Sequence, residues 1–253
     1  MVTLPNIPQR PEKPRKKGIT MVMDKGLSNQ EAKSLMESSK NFIDVIKFGF
    51  GTALVSNNIK EKIEIYQKNG IKVYLGGTLF EAFIVRGLFE KYCTFVEELG
   101  LNTVEISDGS IKMDHQKKCD YIKKLAKKDL TVFSEVGYKS SNKILPPSKW
   151  IDLMQKEIDA GSWKVIAEAR ESGNVGLYRS GGEVRSDLIE EILTKIPKEK
   201  ILWEAPKKKQ QVFFINLLGS NVNLGNIAAH DVIPLECLRL GLRGDTFFNF
   251  IKK

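Results

Sequence analysis

Glutamate stands at the end of four short β-branched or apolar runs: Glu105 in TVEISDGS, Glu135 in TVFSEVGYK, Glu168 in KVIAEARESG and Glu204 in ILWEAPKKK. Strands of a closed barrel bury both faces, and a carboxylate there is costly unless a metal ion or a cation compensates it. Three or four such groups in a ring suit a hard, oxygen-liking divalent cation such as Mg²⁺. Asp24 and Asp108, each close to the end of a run, are rivals for the same role. The alternative is a buried network of Glu with Lys and Arg, although so many buried charges stabilise poorly on their own.

The same ends carry groups suited to an anion. Gly76-Gly77-Thr78, Gly109-Ser110 and Gly173 let backbone N–H groups approach a phosphate closely. Lys208, Arg239 and Arg243 add positive charge, so a phosphorylated or carboxylated ligand is expected. Ser107, Arg170 and Asn226 complete the polar strand ends. Lys25, Lys47 and Lys139 are the lysines placed there.

These groups need a scaffold that presents eight strand ends together. The strand patterns are Ile19–Met23, Val45–Phe48, Lys72–Leu75, Thr103–Ile106, Thr131–Glu135, Lys164–Ala167, Ile201–Glu204 and Val222–Leu224. Helical patterns alternate with them: Asn29–Ser39, Ile59–Asn69, a long region from Leu79 to Leu99, Asp114–Lys128, Ser148–Ala160, Ser186–Lys195, Lys209–Leu218 and Leu235–Leu240. Strands joined through helices run parallel. Eight such units in 253 residues predict a single (β/α)₈ TIM barrel, with the site on the loops that follow the strands. An open doubly wound sheet usually carries a Gly-rich phosphate loop after its first strand, where this chain reads Asp24-Lys25-Gly26. Ser28, Asp114 and Ser186 are placed to cap helices. Residues 1–17, rich in Pro and Lys, read as a mobile or loosely attached arm, and residues 18–253 as the catalytic barrel.

Composition narrows the chemistry. Cys93, Cys119 and Cys237 form no CxxC pair, which excludes a zinc ribbon, argues against a disulfide framework and suits a cytoplasmic protein. His115 and His230 are the two histidines, too few for a His-rich metal site or a Ser–His–Asp triad. The work falls to carboxylates, lysines and arginines. The net charge of +9 raises the question of nucleic acid, but the basic residues are dispersed and no nucleic-acid motif accompanies them. The Lys117–Lys128 cluster reads as a solvated helix face. Small anionic substrates account for the surplus equally well. The most apolar stretch, Val212–Leu218, is far shorter than a membrane span. A homo-oligomer is compatible with all of this.

The strings DKGL at Asp24, KFGFGT at Lys47, GGTLFE at Gly76, EISDGS at Glu105, SEVGYK at Ser134, EARESG at Glu168 and EAPKKKQQ at Glu204 resemble the phosphosulfolactate synthase family. The resemblance continues through VNLGNIA at Val222 and LRLGLRGDTF at Leu238, so it spans almost the whole barrel. It implies a Mg²⁺-dependent TIM barrel that adds sulfite to phosphoenolpyruvate, giving (2R)-2-phospho-3-sulfolactate for coenzyme M or sulfolactate biosynthesis. It also implies that Lys139 corresponds to the proton donor. Plant heat-stress-associated proteins resemble the family too, which makes a non-catalytic relative the alternative, alongside another Mg²⁺-dependent phosphoenolpyruvate or enolate enzyme.

Overall fold

The structure, a computed structural model, describes residues 4–138, 145–170 and 172–251. Eight strands follow one another in chain order: β1 (Thr20–Asp24), β2 (Val45–Phe48), β3 (Lys72–Leu75), β4 (Thr103–Ile106), β5 (Thr131–Val136), β6 (Lys164–Ala167), β7 (Ile201–Glu204) and β8 (Leu224–Ala228). Each recorded ladder is parallel, and the hydrogen-bonded order is β3-β2-β1-β8-β7-β6-β5-β4. The two ends of that order, β3 and β4, lie side by side, so the sheet is a nearly closed (β/α)₈ barrel.

Helices return the chain between strands: α1 (Asn29–Ser39), α2 (Thr52–Val55), α3 (Ile59–Gln67), α4 (Gly77–Ile84), α5 (Phe89–Glu98), α6 (His115–Ala126), α7 (Pro147–Asp159), α8 (Ser186–Leu193), α9 (Lys208–Leu218) and α10 (Val232–Arg239). Ser28 caps α1 in a reciprocal box with Glu31, and Asp114 caps α6 through the Lys117 N–H. Ser186 is instead the first residue of α8, whose N-cap Arg185 makes no side-chain cap bond. The long helical region expected from Leu79 to Leu99 is two helices, because the chain turns at Gly87, whose φ is +69°. The last strand runs to Ala228 and begins after Asn223. The Asn223 side chain bonds the Ile19 N–H and the Ile201 carbonyl below the strand, and Gly225 continues the ladder opposite Glu204. Helix α10 begins earlier than expected because Pro234 is tolerated in a first turn.

Alternation along the strands divides the apolar core in two. An outer shell packs strands against helices. Ile19, Met21, Val45, Tyr74, Phe133, Ile166 and Leu202 form a separate cluster in the lumen. Tyr74 and Phe133 stack there with ring centroids 5.2 Å apart.

The basic N-terminal segment is tied to the end of the barrel where the strands begin, unlike a loose arm. Arg10 pairs with Glu236 at 2.8 Å and donates to the Gly18 carbonyl. Lys13 donates to the carbonyls of Lys40 and Ile43, Arg15 pairs with Asp44 at 3.2 Å, and Lys164 donates to the Lys16 carbonyl. Its cations serve backbone acceptors at strand starts, and such acceptors leave no trace in a sequence pattern.

Candidate active site

Residues two positions apart on a strand share a face. Following Val45, Thr103, Phe133, Ile166 and Leu202 toward the C-terminal end of the barrel therefore leads to a second layer, made of Lys47, Glu105, Glu135, Glu168 and Glu204. All five are buried. Lys47 Nζ lies 3.0 Å from Glu105 Oε2, 3.4 Å from Glu204 Oε1 and 3.6 Å from Glu135 Oε2. Glu135, Glu168 and Glu204 each offer an oxygen, and these oxygens lie within 4.8 Å of one another. The ring expected from the strand ends is thus assembled.

Backbone donors hold the carboxylates in place. The Gly77 N–H donates to Glu105 Oε1 at 2.6 Å, and the Ala169 N–H to Glu204 Oε2 at 2.8 Å. The Arg170 N–H turns back on Glu168 Oε1 at 2.6 Å. Two glycines make room for this packing. A Cβ on Gly77 would collide with Glu105 Oε1 and with Ser107 Cβ, and one on Gly137 would sit 2.6 Å from Glu168 Cβ. Gly137 also holds φ at +129°, which L side chains rarely adopt.

Crowding sets the protonation. Burial works to lower the Lys47 pKa, but Glu105, Glu204, Glu135 and Glu168 outweigh it and raise it well above the usual ammonium value. Burial, reinforced by Glu135 and Glu105 and opposed by Lys47 and the Ala169 N–H, pushes Glu204 up to about 7. Burial and then the Glu105 charge raise the Tyr74 phenol, so it stays protonated at neutral pH. An all-oxygen donor set of three mutually close carboxylates is compatible with a divalent metal. Glu105 is spoken for by Lys47 and Gly77 and lies beside that triad.

Several expected site residues have other work. Asp24 Oδ1 accepts from the N–H groups of Gly26 and Leu27, while Oδ2 accepts from the Tyr66 hydroxyl and pairs with Lys62 at 3.1 Å. Asp108 pairs with Lys118 at 2.8 Å and is not one of the three clustered carboxylates. The amides of the glycine-containing turns are engaged by the protein: Gly76 N–H with the Phe48 carbonyl, Gly77 N–H with Glu105, and Ser110 N–H with Glu81. Gly109 N–H points to Ser107 Oγ at 3.4 Å and Gly173 N–H to the Arg170 carbonyl at 3.3 Å.

Arg239 is a clear correction. It is buried at the opposite end of the barrel and donates to the carbonyls of Ser220, Val222 and Ile19, so it cannot meet a ligand at the glutamate mouth. Lys208 pairs with Asp245 at 2.7 Å on the outside, and Arg243 sits in the turn that this segment makes after α10. Neither joins the ring. Lys25 and Arg170 are exposed on loops that follow β1 and β6, Arg170 with φ at +56°. Thr78 lies half-buried in the first turn of α4. Lys139 lies outside the described residues.

Asn226 sits on β8 with φ at +56°, and its Oδ1 is buried with no hydrogen-bond partner among the described residues. Ser107 Oγ lies 3.0 Å from Glu135 Oε1 and also bonds Glu81 Oε1. Glu81 was not singled out from sequence, although it closes the GGTLFE string. Its place on α4 made it resemble one more helix carboxylate. The other omission is Lys118, fully buried on α6 among Asp108, Glu157 and the Glu135 carbonyl.

Fold and site together define a barrel with a buried, metal-compatible carboxylate ring at one end and the N-terminal segment bound at the other. Residues 8–245 match the family model described as (2R)-phospho-3-sulfolactate synthase (ComA). The phosphosulfolactate synthase of Methanothermobacter thermautotrophicus is 41% identical over 244 residues, covering 94% of this chain and 95% of the relative. The protein HEAT-STRESS-ASSOCIATED 32 of Arabidopsis thaliana is 24% identical over 259 residues, covering 91% and 88%. Among solved structures, 3-hexulose-6-phosphate synthase from Salmonella typhimurium aligns with a TM-score of 0.55 at 15% identity, covering 87% of this chain and 99% of that one, a likeness of fold alone. The chain belongs to the (2R)-phospho-3-sulfolactate synthase family, and is an enzyme of the carbon–sulfur lyase type. No helix among the described residues is long and apolar enough to cross a membrane.

Proposed function

We propose that the protein adds sulfite to phosphoenolpyruvate to give (2R)-2-phospho-3-sulfolactate, with Mg²⁺ held by Glu135, Glu168 and Glu204. The observation that carries this reading is the convergence of those three buried carboxylates in a chain of this family. A bound Mg²⁺ supplies Lewis acidity toward the substrate carboxylate, where negative charge develops.

The reaction forms a bond between the sulfite sulfur and the methylene carbon. The electron pair of the carbon–carbon double bond moves toward the carboxylate, and a proton then closes the carbon that bears the phosphate. Lys47 is badly suited to deliver it, since four glutamates raise its pKa and three of them grip its ammonium. Its part is to keep the carboxylates together. Lys139, two residues after Gly137, is the proposed proton donor. Asn226 brings a buried amide to the same end of the barrel, with hydrogen-bonding capacity left for substrate. Lys25 and Arg170 stand exposed on the loops after β1 and β6 to draw anions in. The closer match to synthases than to the plant stress protein, 41% against 24%, favours an active enzyme.

Incubation with phosphoenolpyruvate, sulfite and Mg²⁺, followed by ¹³C and ³¹P NMR, tests the reading. A new carbon–sulfur-bonded phosphate ester that forms only with all three present is expected. No product under those conditions would sink it.

A further inference from the structure

We propose that Lys118 is a positioning residue for the carboxylate triad, acting on Glu135 from outside the barrel wall. The proposal rests on reading that triad as a divalent-metal site. Lys118 stands on α6 with its side chain 1% exposed. Its ammonium has three protons and three acceptors: the Glu135 carbonyl at 2.6 Å, Asp108 Oδ1 at 2.8 Å and Glu157 Oε1 at 2.8 Å. The acceptors come from β5, from the loop after β4 and from α7. One point charge therefore ties together the two wall segments that set the Glu135 carboxylate.

A plain structural ion pair with Glu157 would need neither of the other two contacts. The contact with the Glu135 carbonyl fixes the main chain of a triad member. The contact with Asp108 fixes the segment beside Ser107, whose hydroxyl meets Glu135 Oε1. Glu135 is thus held from both ends, by Lys118 at the backbone and by Ser107 and Lys47 at the carboxylate. Removing the outer hold leaves every carboxylate of the triad in the sequence but loosens one of the three oxygens. Groups that orient metal ligands typically govern affinity by 10- to 100-fold.

The test is Mn²⁺ binding, followed by electron paramagnetic resonance, on the full chain. Lys118→Met alone strands the buried Glu157 charge and endangers folding, so Lys118→Met/Glu157→Gln is measured beside it. The double variant is expected to melt as one cooperative unit while binding Mn²⁺ about 10- to 100-fold more weakly. A metal requirement shifted upward, with kcat at saturating metal much less affected, accompanies it. A folded double variant with wild-type Mn²⁺ affinity overturns the proposal. Glu168→Gln separates the two readings. If it also binds Mn²⁺ normally, the triad is not the metal site; if it alone loses binding, the Lys118 proposal fails by itself. Should neither Lys118 variant fold, Asp108→Asn cuts the partly exposed contact instead. Several-fold weaker Mn²⁺ binding then supports the proposal, and unchanged binding overturns it.

Discussion

The two ends of the barrel both concentrate charge, and they handle it in opposite ways. Where the strands begin, Arg239, Arg10, Lys13 and Lys164 donate mostly to main-chain carbonyls, and Asp44 and Glu236 neutralise Arg15 and Arg10. Where the strands end, like charges are pressed together out of water, and burial, with Glu135 and Glu105 beside it, pushes Glu204 up to about 7. The first arrangement gives most of its buried donors an acceptor, Arg239 Nε excepted, and holds the fold. The second opposes the fold and makes sense as a place that waits for a cation. Charge density alone does not mark an active site; the sign and the mutual distance of the charges do.

Four measurements break or sharpen this contrast. Lys139→Ala should lower kcat about 10²–10⁴-fold, the usual contribution of general acid catalysis, with Mn²⁺ binding retained. Lys139→Arg should not restore it, since guanidinium hardly releases a proton. Near-wild-type kcat in the arginine variant would exclude the donor role. At the other end, Arg239→Met should cost about 2–4 kcal/mol in urea unfolding, because it orphans carbonyls of Ser220, Val222 and Ile19. The kcat of the folded fraction should stay unchanged, and a fall in kcat instead would give that end a part in the chemistry.

The third measurement concerns pH. The folded pKa of Glu204 lies above its usual carboxylate value, so between about 4.5 and 7 the folded state keeps a proton that the unfolded state has released. In metal-free protein its contribution to stability therefore falls as pH rises through that window. Glu204→Gln should flatten the slope, read from urea midpoints at several pH values; an unaltered slope would place the titration elsewhere. The smallest effect belongs to Lys25, exposed at the rim. Lys25→Ala should raise KM for the anionic substrate by about two- to fivefold at low salt and less at high salt. A salt-independent change would mean direct contact.

The alternation of strands and helices was legible because buried parallel strands leave short apolar runs, and the four glutamates were legible because each ends such a run. The partners of those glutamates were not. Within the cluster from Lys117 to Lys128, expected to be a solvated face, Lys118 is buried in line with Ile122 and Leu125, while its lysine neighbours face water. The spacing of 118, 122 and 125 is the helical stripe that could have singled it out. Arg239 misled for the reverse reason: its acceptors are main-chain carbonyls distant in sequence, which no side-chain pattern encodes. The amides of Gly76 and Gly77 looked like an anion cradle, but neighbouring strands had already claimed them.

The stacked Tyr74 and Phe133, with Met21, Ile166 and Leu202 around them, put an apolar floor directly beneath the carboxylates. Passage through the lumen from the strand starts to the carboxylates is therefore blocked. A ligand that reaches the carboxylates comes and goes by the strand ends, so the floor sets the direction of approach as firmly as the ring itself does.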